Sequence, residues 1–286
     1  MIKLYKYMSE KAALSFIKQP LLRISPSHQL NDPFEFLPSA SSQMSLKKRF
    51  KHNIKEFMDL HGVLCLSEIP DNLLMWSHYA DNHKGAVVEF FVDENDPFNL
   101  FYINYVAKSS DAKFDKVSYK KDRAYLGCSL TDDLQKIREH YTFTKSEDWD
   151  YEKEHRFIFP FTSISHELNT GEEMARFDSG LVNDRLTRKW LNADRSFFVQ
   201  IDPSKIGRII LGLNANMDKY LDEMKKRQPS DFHREFWNFD GNLMNVESAE
   251  LHPDRFELIF NRLEKNLYGC TNIASFSKTL SSQLKP

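Results

Sequence analysis

The stretch "DWDYEKEHRFIFPF", residues 148–161, passes within fourteen residues from a row of acids to a row of large apolar side chains. Its second half, with Phe157, Ile158, Phe159 and Phe161, reads as a strand leading into the core. Carried back at a period of two, the same strand puts Asp150, Glu152 and Glu154 on one side, with Arg156 in register to pair with Glu154. Carboxylates so closely spaced repel, and their pKa values rise unless cations or a polar ligand relieve them. Such a row is either an exposed charged face or a place where an enzyme anchors a general base.

Outward from this strand, the chain reads as strands scattered among helices. "IKLYKY" (2–7) is a strand, and Ser9 with Glu10 opens a helix through "EKAALSFIKQ" that Pro20 ends. "LLRIS" (21–25) is a second strand. Residues 41–60 place Met44, Leu46, Phe50, Ile54, Phe57 and Met58 near helical spacing, with Gly62 closing that helix. "VLCLSE" (63–68) follows as a strand, then "DNLLMWSHYADNHKG" (71–85) as a short helix capped by Asp71 or Asn72 and stopped at Gly85. "AVVEFFV" (86–92) is a strand, with "FYINYVA" (101–107) pairing beside it.

Residues 129–145 are helical by pattern, and 163–195 are a polar stretch. "FFVQI", "IGRIILGL", "LMNVESAEL" and "RFELIF" are later strands, with a helix through "NMDKYLDEMKKR" between them. Residues 227–242 read as an excursion. Without a clean βαβ rhythm or a linker, the expectation is a single α+β domain over 1–260, with a split central pair of sheets flanked by helices. Residues 261–286 are a tail.

Composition narrows the class. The 286 residues are 41% apolar and 13% aromatic, enough for a substantial core, and the net charge of -2 provides no global pull toward DNA or membranes. The three cysteines, Cys65, Cys128 and Cys270, are far apart and form no CxxC, which fits a reducing cytoplasm without structural zinc. No run approaches ~18 uninterrupted apolar residues, and the first residues lack a signal-peptide core, so a cytoplasmic protein without membrane attachment is expected.

Two further clusters can carry chemistry. On a strand, Lys3, Tyr5 and Tyr7 share one face of "KLYKY" while Lys6 joins Ile2 and Leu4 on the apolar one. A lysine there either snorkels out or is held in a cleft to meet phosphate or carboxylate. It is joined by "NDPFEF" (31–36), where Pro33 turns the chain, Asn31 and Asp32 suit the turn, and Glu35 adds a carboxylate. In "MWSHYADNHKG" (75–85), Trp76 and Tyr79 lie at i, i+3, either as packing aromatics or, with Ser77, His78 and Asn82, as ligand-binding groups. His78 and His83 at i, i+5 share no helix face, so no metal site is expected there.

Taken in order, "NDPFE", "CLSE", "MWSHYADNHKG" with "VVEF", and "W-x-YEKEHR" resemble a bacterial family known only as a domain of unknown function, associated with phage defence, over about residues 1–260. The order of elements is also similar, more distantly, to ADP-ribosyltransferases: an early basic and aromatic strand, a helix, and a late strand with an E-x-E pair, here Glu152 and Glu154. Lys6 stands where many of those enzymes have Arg or His. The resemblance implies that NAD is the substrate and Glu154 and Glu152 are catalytic. Tyr5, Lys6, Tyr7, Asn31, Asp32, Trp76, His78 and Tyr79 would bind NAD. The acceptor would be a protein or nucleic acid, and an antitoxin or another defence protein would restrain the enzyme. Two other readings stand beside it. One is a nuclease with Mg²⁺ on Asp32, Glu35, Glu152 and Glu154. The other is a non-catalytic phage sensor.

Overall fold

From Glu154 to Pro160 the chain is a strand in which all seven residues are buried, so both of its faces are covered and it lies inside the fold. The computed structural model describes residues 1–37, 39, 44–102, 112–124, 134–161, 166–169, 175–176, 195–226 and 245–263. In chain order the strands are β1 (Ile2–Met8), β2 (Leu21–Pro26), β3 (His61–Ser67), β4 (Ala86–Val92), β5 (Lys113–Lys116), β6 (Ser118–Lys120), β7 (Thr144–Ser146) and β8 (Glu154–Pro160). They continue with β9 (His166–Asn169), β10 (Ala175–Arg176), β11 (Arg195–Gln200), β12 (Ile206–Leu211), β13 (Val246–Leu251) and β14 (Leu258–Arg262). The helices are α1 (Glu10–Lys18), α2 (Met44–Asp59), α3 (Leu73–Tyr79), α4 (Leu134–Thr142) and α5 (Met217–Lys225).

Twelve of these strands form one mixed sheet in the order β10-β9-β11-β2-β3-β1-β4-β12-β13-β14, with β8 along β3 and β5 along β8. The expected pair of sheets is therefore one sheet that divides, and β3 is the branch. One edge of β3 pairs with β8 from His61↔Pro160 to Ser67↔Glu154. The other is shared. β2 takes its start through Ser25↔Val63 and Pro26↔Gly62, whereas β1 touches only its end through Tyr5↔Ser67. Between the two contacts the strands part, and the carbonyl of Cys65 accepts instead from Lys6 Nζ at 2.9 Å.

Alternation along the strands assigns the faces. Leu4, Met8, Val88, Phe90, Phe157 and Phe159 pack with Phe16 and Ile17 of α1 and Leu221 and Met224 of α5. In a second cluster, Val63 and Ile158 meet Ile54 and Met58 of α2 and Ile137 and Tyr141 of α4. In a third, Tyr5, Tyr7, Val87 and Ile210 meet Met75 and Trp76 of α3. Ser9 caps α1 as expected, accepting from the Ala12 N–H, and Asn72 rather than Asp71 caps α3, accepting from Leu74 and Met75.

Several boundaries differ from the sequence expectations. Helix α2 ends at Asp59, and Gly62 lies inside β3. Residues 147–152 form a 3₁₀ turn rather than strand, because Ser146 accepts from the Asp148 N–H and starts a helical turn. Lys153 then reverses it with a left-handed φ of 45°. Asp150 leaves the carboxylate row and pairs with Lys153 at 2.6 Å. The polar stretch 163–195 contributes β9 and β10 to the sheet. Phe101 bridges to Ile201, while the rest of "FYINYVA" beyond Tyr102, residues 227–242 and the tail beyond Leu263 lie outside the described residues. Among the described residues no helix is long and apolar enough to cross a membrane.

After α3 the chain runs through left-handed Asp81, Asn82 and His83 and enters β4 at Gly85, whose N–H bonds the Ala80 carbonyl at 2.8 Å. A Cβ at Gly85 would stand 1.9 Å from the Met8 carbonyl oxygen, a backbone atom that cannot swing aside. Gly85→Ala is therefore expected to destabilise the fold by about 1–3 kcal/mol, as overpacking does. A shift in the midpoint of urea unfolding checks this, and an unchanged midpoint would mean that β1 and β4 separate freely there.

Candidate functional site

Where β1 and β2 part from β3, a cleft of about 210 Å³ opens, and Glu152, Glu154, Glu35 and Lys145 line it together with Lys6, Tyr79 and Cys65. Lys6 comes from β1, and four further segments supply the other charged groups. Glu154 and Arg156 lie two apart on β8, so both face the same way, opposite Ser67 and Cys65 of β3. Glu152 arrives from the end of the 3₁₀ turn, its carbonyl held by Ser67 Oγ at 2.6 Å. Glu35 comes from the "NDPFEF" turn and Lys145 from β7.

These side chains form one buried ionic network. Arg156 grips Glu154 with two bonds, Nε to Oε1 at 2.7 Å and Nη2 to Oε2 at 3.1 Å. It also donates to Glu35 at 2.9 Å and to the Thr142 carbonyl at 2.8 Å. Lys145, only 3% exposed along its side chain, sits 2.6 Å from Glu152, 3.3 Å from Glu35 and 3.4 Å from Glu154. Tyr79 donates its hydroxyl proton to Glu152 and accepts from Asn31 Nδ2 at 2.6 Å. Three carboxylates thus face two cations, leaving one net negative charge, and Glu35 Oε2 is buried without a partner.

The two acids of the E-x-E pair are driven apart. Burial works to raise both. At Glu154 the Arg156 guanidinium and the Lys145 ammonium outweigh it and hold the carboxyl down at about 2. At Glu152 burial prevails, helped by the neighbouring Glu154 charge and only partly offset by Lys145, so its pKa is raised. Burial of Lys145 favours its neutral form, but the three carboxylates overcome this and keep it protonated. Burial and the Glu152 charge raise Tyr79, so it remains a donor. The result is a permanent anion beside a carboxyl able to exchange a proton, the separation that acid–base sites use.

Of the residues singled out from sequence, Tyr5, Lys6, Tyr7, Asn31, Tyr79, Glu152 and Glu154 line this cleft, drawn from segments far apart in the chain. Three do not. Trp76 is fully buried, stacks on His83, and donates its ring N–H to the Pro70 carbonyl at 2.8 Å, which makes it a core residue. His78 is exposed and lies on the outer side of α3, beside Tyr79 but outside the cleft. Asp32 closes its own turn by accepting from the Phe34 N–H at 2.8 Å and borders a different depression. The hydroxyls of Tyr5 and Tyr7 are taken by Glu89 and by the Ile69 carbonyl, so the two residues present ring surface.

Sequence reasoning passed over Lys145, the centre of the network. Its signal was indirect: a row of carboxylates needs a cation, and "TKSEDW" offers one seven residues before Glu152. That ammonium also stands among the carboxylates assigned to Mg²⁺ in the nuclease reading, and Asp32 points elsewhere. Among the described residues no three His, Cys, Asp or Glu converge as metal ligands.

The charge imbalance has a testable consequence. Glu152→Gln leaves two carboxylates facing two cations and removes a charge that burial penalises. At pH 7 it is expected to be as stable as the unsubstituted protein or more so. Glu154→Gln breaks a buried, doubly bonded pair and should cost about 3–5 kcal/mol. Because the folded pKa of Glu154 lies below its unfolded value of 4.5, its stabilisation is present above that value and is lost as pH falls toward about 2. Thermal unfolding of both variants between pH 3 and 7 checks the order, and equal losses at pH 7 would contradict the assignment.

No curated protein and no solved structure matches this chain. Over residues 75–157, from α3 through β4 to β8, the chain matches a family model described as "Protein of unknown function (DUF2971)", a span that holds "MWSHYADNHKG" and "WDYEKEHRF" but not "NDPFEF".

Proposed function

We propose that the cleft splits the bond between a ribose and a cationic base, as an ADP-ribosyltransferase does with NAD. One observation carries this reading: a buried cluster with one carboxylate more than its cations, set against aromatic rings at the floor of a cleft. A carboxylate cluster held in place with fewer cations than acids favours a reaction that develops positive charge beside it, and little reorganisation is needed when it does so. In the proposed step the bond from ribose C1′ to the nicotinamide nitrogen breaks, and its electron pair leaves with nicotinamide. An acceptor oxygen or nitrogen bonds to C1′ and loses its proton.

The residues divide these tasks. Glu154, ionised at all ordinary pH values, faces the ribosyl cation. Glu152, with its raised pKa, takes the acceptor's proton, and Tyr79 and Asn31 orient it. The rings of Tyr5 and Tyr7 give the base an apolar wall. Lys6, on the Cys65 carbonyl, keeps a positive charge at the cleft's edge, where a pyrophosphate would emerge. At about 210 Å³ the cleft is smaller than the ~300–1,000 Å³ of drug-sized sites, so it takes the reacting end of the dinucleotide. A role as an anti-phage effector or toxin, held in check by a partner, follows from the resemblance noted above, and on this reading unrestrained expression slows growth.

The test uses NAD labelled on its adenylate, incubated with purified protein and cell extract. Glu152→Gln, which should fold, is expected to lose about 10²–10³ in turnover while still binding NAD. Activity of the unsubstituted protein should fall as acid protonates Glu152, at a higher pH than an ordinary carboxylate would give. Unaltered turnover in Glu152→Gln, or activity restored by excess Mg²⁺, would overturn the proposal.

A further inference from the structure

A second depression, of about 370 Å³, lies beside the cleft, and Lys145 lines both. Its character is the opposite. Lys120, Lys121 and Arg123 border it, with Asp122 as its one exposed carboxylate, since the acid of Asp32 is turned to the Phe34 N–H. Lys120, Lys121 and Arg123 make no ion pair with a described residue. Arg123 instead donates to the Leu37 carbonyl at 3.4 Å and lies 5.1 Å from the centroid of the Phe34 ring, which is 59% exposed.

Cations without a carboxylate partner, beside an exposed aromatic face, are what a nucleic-acid strand requires: charges for successive phosphates and a ring for an unstacked base. A lone phosphate would leave the ring unused, and an acidic peptide would not need it. We propose that this depression binds single-stranded nucleic acid, with phosphates on Lys120, Lys121 and Arg123 and a base on Phe34. The "NDPFEF" turn is then the wall between two sites, with Asn31 on the cleft and Phe34 on the strand's side. As the acceptor of ADP-ribose the strand rests on the reading given above: a base nitrogen or a hydroxyl oxygen would bond to C1′, nicotinamide would leave, and the proton would pass to Glu152. Binding of the strand does not rest on that reading.

Binding is therefore measured without NAD, by fluorescence anisotropy with labelled 12-nucleotide oligo-dT and oligo-rU. With three phosphate contacts, affinity for a single strand should fall with salt at a log–log slope of about -2. Lys120→Glu/Lys121→Glu should nearly abolish binding, and Phe34→Ala should weaken it about tenfold by removing the stacking surface. These residues are at the surface, and unchanged thermal unfolding confirms that the variants fold. No binding by the unsubstituted protein, equal binding by the charge-reversed variant, or displacement by millimolar phosphate or ADP as effective as by unlabelled oligonucleotide would overturn the proposal. If the strand binds but receives no label from NAD in the presence of enzyme that labels cell extract, the strand is not the acceptor and the binding site stands; if neither is labelled, the transferase reading fails and the binding site stands.

Discussion

A guanidinium removed from water must be matched almost completely, and Arg156 is the group on which this molecule's arrangement turns. It is fully buried, and the desolvation of an unpaired cation would cost several kcal/mol. Its partners come from three places: Glu154 on the same strand, Glu35 from the "NDPFEF" turn, and the Thr142 carbonyl at the end of α4. All three bond the same planar guanidinium, which ties the turn and the helix end to β8. Lys145 extends the same network to Glu152.

The network is not arranged for stability alone. A neutral cluster of equal size would hold these segments together at less cost, yet a third carboxylate is present and one of its oxygens is left without a partner. A buried carboxylate in excess of its cations is unfavourable to folding. Its place at the floor of a cleft, rather than in the closed core a few residues along the same strand, is the reason for reading it as a site.

The cleft itself follows from how β3 is paired. A strand offers two edges, and here β8 takes one entirely while β1 and β2 divide the other. The gap leaves backbone polar groups that must find partners, and Lys6 answers for one of them at Cys65. A lysine on an otherwise apolar strand face, odd by pattern, is thereby explained by the branching of the sheet.

Read without a structure, the periodicities of Ile2–Met8, Glu10–Lys18, Ala86–Val92 and Ile206–Leu211 were enough to place elements, because the hydrophobic pattern and the caps that mark them are local. The mutual repulsion of Glu152 and Glu154, and the pairing of Glu154 with Arg156, were legible for the same reason. What lay beyond local pattern was decided by contacts between distant segments. Trp76 and Tyr79 are both aromatic residues on one short helix, and only the packing of α3 over β1 sends the first into the core and the second to the cleft. Lys145 carries only an indirect sequence mark of its role, since a lysine becomes the centre of a network only when folding brings Glu35, Glu152 and Glu154 around it. The sequence alone determined which residues repel, which prefer strand or helix, and which must be buried. The tertiary structure decided which charges meet, because electrostatic energy depends on distances and burial that no linear spacing encodes.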